Sequence, residues 1–228
     1  MTKKIYKGKT KIVRPYSKGR LLMEFRDSVL GHNGSPDSGG DQVVDYIKGK
    51  RYYCMELSRY FFKLLSKKKL KNHYLKTIKE KNAVLVKKTK VFGYGLEYIC
   101  RRMAYGSFIA RYGEYIKKFK DLKYLVEITI KNDAKKDPFI NDDALLELNI
   151  ITLKDLKITK NLTRKVARII NRDLKKYELE LVDIKVEFGK KNGQIMIIDT
   201  MNCDNMRVLD KNRHEIVGYK ELYRRING

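Results

Sequence analysis

Residues 182–188, Val-Asp-Ile-Lys-Val-Glu-Phe, alternate strictly between apolar and charged side chains, and no other segment constrains the fold as tightly. A period of two belongs to an extended strand, so Asp183, Lys185 and Glu187 share one face while Val182, Ile184, Val186 and Phe188 share the other. Gly189 and the apolar run that leads from Gln194 to Asp199 complete a hairpin. Just upstream, Leu162, Val166, Ile169, Ile170, Leu174 and Tyr177 recur at helical spacing with Lys or Arg opposite, which predicts an amphipathic helix whose stripe faces a sheet.

The rest of the chain reads in the same terms. Three short alternating runs within the first 30 residues, broken by Gly8 and by Pro15 to Gly19, predict an antiparallel meander. Residues 31–41, with four glycines and a proline, read as an exposed loop. From Tyr53, the positions Leu57, Tyr60, Phe61, Leu64 and Leu65 mark a helix face. Strands are expected at Ala83 to Val86, Glu97 to Cys100 and Leu125 to Ile130, the last running into the turn Lys131-Asn132-Asp133. There is no internal repeat and no low-complexity linker.

Composition narrows the class. With 228 residues, 43% of them hydrophobic, and with 16 Tyr and 8 Phe, the chain can bury a sizeable core without staples, which excludes disorder. Cys54, Cys100 and Cys203 are odd in number and lack a CxxC spacing, so neither a disulfide framework nor a zinc cluster is supported, and a reducing cytoplasm fits. No apolar stretch approaches the ~20 residues of a membrane span, and the start lacks a signal-peptide core. The 52 Lys and Arg against 27 Asp and Glu give a net charge of +25, spread along the whole chain rather than gathered in a nucleic-acid motif. Such a charge favours polyanionic small ligands, and neither a nucleic-acid nor a membrane partner is expected.

Several groups are equipped for that chemistry. Glu187 and Asp199, on paired strands, can hold Mg²⁺ while phosphate oxygens fill its remaining positions, because Mg²⁺ takes about six oxygens and few from protein. Lys185 would then meet phosphate or carboxylate. Gly8-Lys9-Thr10-Lys11 places lysines beside a glycine at a strand turn, where they can reach nucleotide phosphates without the P-loop spacing. Arg101-Arg102 leads into a small-residue turn with Ser107 at a helix start, and suits phosphate or carboxylate. Asp204 and Arg207 are spaced either to share one mouth or to form an ordinary surface ion pair. His32, His73 and His214 are scattered, which leaves a hydrolytic triad unsupported.

Taken in order, these segments resemble the SAICAR synthetase family, the purine-pathway ligases that join aspartate to the carboxylate of CAIR at the expense of ATP. The resemblance runs through Tyr6 to Lys11, Phe25-Arg26-Asp27, Asn33-Gly34, Leu85 to Lys88, Arg101 to Ser107, Lys131-Asn132-Asp133 with Asp137-Pro138, Leu181 to Gly189, and Asp199 to Asp210. Asp199-Thr200, Asn202-Cys203-Asp204 and Arg102 depart from the bacterial pattern toward the animal type. Tyr52 and Tyr53 stand where an Asn pair is usual, Phe92 to Leu96 replaces a shorter Pro-containing segment, and the last helix is short after Arg225. These departures bear on which acid and amine are used.

The resemblance implies a two-lobed, ATP-grasp-like α+β fold, with a β-rich nucleotide lobe over residues 1–95 and a larger mixed lobe over 96–228. It implies ATP and Mg²⁺, with Gly8, Lys9, Lys11, Lys88 and Lys131 serving the nucleotide and Glu187 and Asp199 the metal. Arg101, Ser107, Asp183, Lys185, Asp204 and Arg207 would take the ribonucleotide substrate, with Lys131, Lys185 and Asp183 nearest the chemistry. The expected partners are CAIR, L-aspartate and ATP, for a monomer or homodimer. Three alternatives remain: an amide ligase for another acid and amine pair, a small-molecule kinase of related fold, and a basic RNA-binding protein.

Overall fold

The computed structural model describes residues 5–37, 40 and 42–228. In chain order the elements are β1 (Tyr6–Lys7), β2 (Lys11–Ser17), β3 (Arg20–Phe25), β4 (Ser28–His32), β5 (Ser35–Pro36), β6 (Gln42–Tyr46), α1 (Lys50–Lys67), β7 (Tyr74–Ile78), β8 (Ala83–Lys87), β9 (Lys90–Val91) and β10 (Leu96–Met103). They continue with α2 (Ser107–Tyr112), β11 (Asp121–Ile130), α3 (Asp142–Glu147), α4 (Leu153–Leu174), β12 (Leu179–Lys191), β13 (Gln194–Ile198), β14 (Met206–Asp210), β15 (Glu215–Ile216) and α5 (Tyr219–Asn227).

The chain forms two compact units. One holds the described residues up to Lys90 together with Thr200–Asp204 and Gly218–Gly228; the other holds Val91–Asp199 and Asn205–Val217. The sequence reading drew one division after residue 95, whereas the chain here re-enters the first unit twice after leaving it.

In the first unit the expected meander is present as the antiparallel order β1-β2-β3-β8-β7. Met23, Phe25, Val84 and Val86 on one sheet face pack with Cys54 and Met55 of α1, and Leu22, Ile78, Ala83 and Leu85 cluster separately. The helix begins at Lys50, ahead of the expected Tyr53, and its buried line runs through Cys54, Leu57, Phe61 and Leu65 at steps of three and four. Residues 31–36 correct the loop reading. Asn33 and Gly34 both take positive φ, at 51° and 77°, and close a two-residue hairpin that pairs His32 with Ser35, the turn that Asn-Gly favours. Positions 38, 39 and 41 of that stretch lie outside the described residues.

Tyr52 and Tyr53 pack against α5, with Tyr53 and Tyr223 ring centroids 5.3 Å apart and Tyr52 and Tyr223 hydroxyls 3.2 Å apart. The unusual tyrosines therefore serve an aromatic contact between two helices of the same unit.

In the second unit, one antiparallel sheet runs β11-β10-β12-β14-β15, with β13 also paired to β12. α4 packs on β10, β11 and β12. It starts nine residues before the stripe read from the sequence, at a Thr152 cap that accepts from Asp155 N at 3.2 Å. The added turns bury Leu156 and Thr159, and the Thr159 hydroxyl finds partners within the protein, so a polar residue type continues the apolar stripe. The predicted hairpin is β12 and β13, but the second arm ends at Ile198, and Asp199, read as a strand residue, stands just beyond it with φ 70°.

Candidate active site

Antiparallel partners point to the same side of a sheet, so register decides which side chains meet. In the second unit Asp183 pairs with Arg101 on one side and Arg207 on the other, Lys185 with Ile99, and Glu187 with Glu97. Glu127 lies opposite Ile99 and Thr129 opposite Glu97. All of these polar groups therefore occupy one face. The alternate positions, Tyr98, Cys100, Ile128, Ile184 and Val186, are buried on the face that α4 covers. Burial pushes the Tyr98 phenol and the Cys100 thiol each up to about 12, which keeps both neutral and inert.

At one end of the polar face Asp183 is held between two guanidinium groups. Its Oδ2 accepts from Arg207 Nη1 at 2.6 Å and from Arg101 Nη1 at 3.4 Å. Arg101, at 1% exposure, also donates from Nη2 to Ser107 Oγ at 2.9 Å and from Nε to Glu127. Ser107 opens α2, as the sequence reading placed it. The residue before it, Gly106, has φ 53° and ψ −131°, a conformation open in practice to glycine alone. A Cβ there would stand 2.9 Å from Arg207 Nη2, so Gly106 is required twice, by its backbone and by the arginine resting on it. Tyr105 supports the same guanidinium from a ring centroid 5.4 Å away.

At the other end carboxylates and ammonium groups alternate. Lys131 Nζ donates to Glu187 Oε1 at 2.6 Å, and Lys185 Nζ to Glu97 Oε1 at 2.7 Å. Thr129 gives its hydroxyl to the second Glu97 oxygen at 3.2 Å. Burial opposes the charge on Lys131, but Glu187 and then Asp199 outweigh it and hold the ammonium above its ordinary range. Lys185 is raised in the same way, burial being overcome by Glu97 and Glu187. Glu97 is lowered, its burial being overcome by Lys185. Asp199 takes φ 70° and accepts from Asn205 Nδ2 at 3.1 Å.

Lys131 thus pairs with one of the two carboxylates expected to hold a metal, Glu187, and feels the charge of the other, Asp199. Among the described residues no group of three or more His, Cys, Asp or Glu is arranged to hold a metal by itself.

The remaining sequence candidates lie in the first unit. Gly8 sits in a tight turn, its N–H donating to Lys11 O at 2.8 Å and its carbonyl accepting from Arg26 Nη1 at 3.0 Å. Ser28 caps the Lys9 carbonyl at 2.5 Å, so side chains of β4 and the preceding turn shape this loop. Lys11 Nζ lies 3.5 Å from Thr200 Oγ1. Lys88 is exposed, and its N–H donates to Gly19 O at 2.9 Å.

Asp204 and Arg207 correct the surface ion-pair alternative. They are 8% and 6% exposed, and each has its partner elsewhere: Asp204 Oδ1 accepts from Lys50 Nζ at 2.5 Å, and Arg207 binds Asp183. Lys50 is 2% exposed, and there too Cys54 and Asp204 outweigh the burial and raise the ammonium. Asn202 accepts from Asp204 N at 2.7 Å and donates to Ser58 Oγ at 3.1 Å, which seats this segment on α1.

The sequence reading missed Glu97, Glu127, Arg111, Lys50 and Asn205. Glu97 carried a usable signal, a carboxylate in phase with Arg101 inside an otherwise apolar strand. Lys50 and Asn205 carried none, since only the tertiary fold brings them to Asp204 and Asp199.

The family profile described as SAICAR synthetase matches residues 4–226. Phosphoribosylaminoimidazole-succinocarboxamide synthase of Clostridium tetani is 41% identical over 205 residues, which cover 89% of this chain and 90% of the relative. The enzyme of the same name from Sulfolobus acidocaldarius is 31% identical over 98% of this chain and 90% of its own. Among solved structures, a SAICAR synthetase in complex with ADP superposes with a TM-score of 0.88 at 31% identity, covering 99% of this chain and 98% of that one. A SAICAR synthetase from Pyrococcus horikoshii gives 0.84 at 30% identity, with 96% and 97% covered. With the profile spanning almost the whole chain and relatives this similar along their full length, the protein belongs to the SAICAR synthetase family.

Proposed function

We propose that this chain is an ATP-dependent ligase that joins L-aspartate to the carboxylate of CAIR, giving SAICAR, ADP and phosphate in purine biosynthesis. The observation that carries the reading is the gathering of Arg101, Asp183, Lys185, Glu187 and Arg207 on one sheet face, with Lys131 reaching Glu187, in a chain of this family. The relatives bear the name of this enzyme, and one solved relative holds ADP.

A carboxylate is a poor acyl donor. Transfer of the γ-phosphoryl group of ATP to the CAIR carboxylate forms an acyl phosphate with release of ADP, and attack by the aspartate amine then forms the amide and expels phosphate. The protein's work is positional and electrostatic: holding several anions together and neutralising charge as it moves. Lys9 and Lys11 from the glycine turn, with Lys88 and Lys131, are assigned to the nucleotide. Lys131 exchanges its Glu187 partner for phosphoryl oxygens, and its raised pKa keeps it cationic throughout the working pH range. Arg101, Ser107 and Arg207 hold the ribonucleotide phosphate, while Asp183 and Lys185 orient the aminoimidazole and its carboxylate. Asp204, neutralised by Lys50, is assigned to the same substrate. Glu187 and Asp199 are the residues that would hold Mg²⁺, which supplies positive charge to the phosphoryl oxygens when bound. No enzyme nucleophile is required.

The three cysteines are free thiols, which suits the reducing cytoplasm where this chemistry is expected. Among the described residues no helix is long and apolar enough to cross a membrane.

The test is a coupled assay with purified protein. ADP and inorganic phosphate should appear together, and only when CAIR and L-aspartate are both present. ADP formation on an alcohol acceptor with no phosphate released would establish a kinase instead, and another acid and amine pair would be found by substituting each substrate in turn.

A further inference from the structure

Arg101 and Arg111 converge on one carboxylate that no reading of the site has so far used. Glu127 lies in the middle of β11, directly opposite Ile99, so its side chain rises on the polar face beside Arg101. Its Oε2 accepts from Arg101 Nε and its Oε1 from Arg111 Nη2. Arg111 comes from the last turn of α2, the short helix that Ser107 opens, and its guanidinium lies 3.9 Å from the centroid of the Phe139 ring.

A guanidinium donates from two edges. With Nε taken by Glu127, the Nη1 and Nη2 groups of Arg101 are turned toward Asp183 and Ser107. We propose that Glu127 is a positioning residue for the ribonucleotide phosphate, fixing the Arg101 fork and tying it to α2 through Arg111. The proposal rests on the ligase reading and adds a residue to it.

Charge arithmetic supports the assignment. Arg101, Arg111 and Arg207 carry +3 and Glu127 and Asp183 carry −2, which leaves a net +1 to receive an anion. Without Glu127, Arg101 at 1% exposure would keep the Ser107 hydroxyl and only one carboxylate, Asp183, which Arg207 already holds at 2.6 Å. With Nε no longer anchored the fork would turn, and a bidentate site does not tolerate such rotation. Glutamine keeps the shape of Glu127 but offers one acceptor where two guanidinium groups need one each.

The measurements are KM for CAIR, ATP and aspartate, and direct CAIR binding by calorimetry, on wild type, Glu127→Gln, Glu127→Asp and Arg111→Met. Glu127→Gln should raise the CAIR KM and Kd by about tenfold, leaving the ATP KM within about twofold, because the lost interaction is a charge-assisted pair acting on one substrate. Glu127→Asp retains the charge but, one methylene shorter, reaches only one arginine and should fall between. Arg111→Met, at a partly exposed position, should show a smaller CAIR-specific rise with folding intact. A merely structural Glu127 would lower the melting temperature without this split. Unchanged CAIR binding in Glu127→Gln and Arg111→Met, or equal rises for CAIR and ATP, overturns the proposal. Wild type that neither binds CAIR nor forms SAICAR overturns the ligase reading itself, which the variants alone do not.

Discussion

Lys131 Nζ meets Glu187 Oε1 at 2.6 Å, an ion pair between the residue that follows β11 and the polar face of β12. The lysine packs its stem against Gly95, whose φ of 123° and missing Cβ leave room for it: a Cβ there would stand 3.3 Å from the Lys131 Cβ and Cδ atoms. In this state Lys131 neutralises a carboxylate that the proposed reaction assigns to Mg²⁺. Removing it costs catalysis and also deprives Glu187, 6% exposed, of that ammonium. Lys131→Met is expected to lower kcat by roughly 10²–10³-fold, the size of losing one preorganised electrostatic contact, together with a lower melting temperature. Steady-state kinetics at saturating substrates checks this, and an unaltered kcat removes Lys131 from the phosphoryl path.

Asp199→Asn isolates charge from structure unusually well. Asparagine tolerates the left-handed backbone at φ 70°, and its carbonyl can still accept from Asn205. The fold should survive with its melting temperature within about 2 °C, while turnover falls by ~10³-fold through loss of one metal-directed charge. Titration of Mg²⁺ in the assay should show a higher requirement in the variant. Wild-type turnover in Asp199→Asn would exclude the residue from the site.

Arg207 demands a milder substitution than alanine. It is 6% exposed and bound to a buried Asp183, so Arg207→Ala leaves that carboxylate only the longer Arg101 contact at 3.4 Å, with a folding cost of ~3 kcal/mol on top of any catalytic effect. Arg207→Lys preserves the charge but not the fork, and should raise the CAIR KM by about tenfold with the ATP KM unaffected. Kinetics in which only the ATP dependence moves would reassign that end of the site.

The Glu97–Lys185 pair sets a sign for stability against pH. Glu97 titrates below its ordinary 4.5, so its contribution is fully present above about that pH and disappears as pH falls through the lowered folded value. Lys185 is raised above 10.5, so its contribution is present below that value and is lost only in strong alkali. Denaturant melts between pH 3 and 7 should therefore show a steeper acid loss in wild type than in Glu97→Gln. Parallel curves would mean that the pair contributes nothing to folding stability.

Much of this architecture was legible because local patterns carry it. The alternation through Asp183, Lys185 and Glu187 specified β12 and the face its charges share, and the stripe from Leu162 to Leu174 specified most of α4. The early part of α4 was hidden because Thr159 continues its buried side with a hydroxyl. The hairpin at Asn33-Gly34 was misjudged because glycine-rich loops and tight turns share a composition, and only the two-residue spacing tells them apart.

The chain alone determined the main strands and helices, that the charged side chains of β12 face one way, and the family to which the order of motifs points. Tertiary structure decided which charges meet: Asp183 between Arg101 and Arg207, Glu97 under Lys185, Glu127 between Arg101 and Arg111, and Asp204 on Lys50 rather than on Arg207. The physical reason is range. Periodicity is enforced by the backbone within a few residues, whereas an ion pair between residues 154 apart, as Lys50 and Asp204 are, exists only after the whole fold has closed around it.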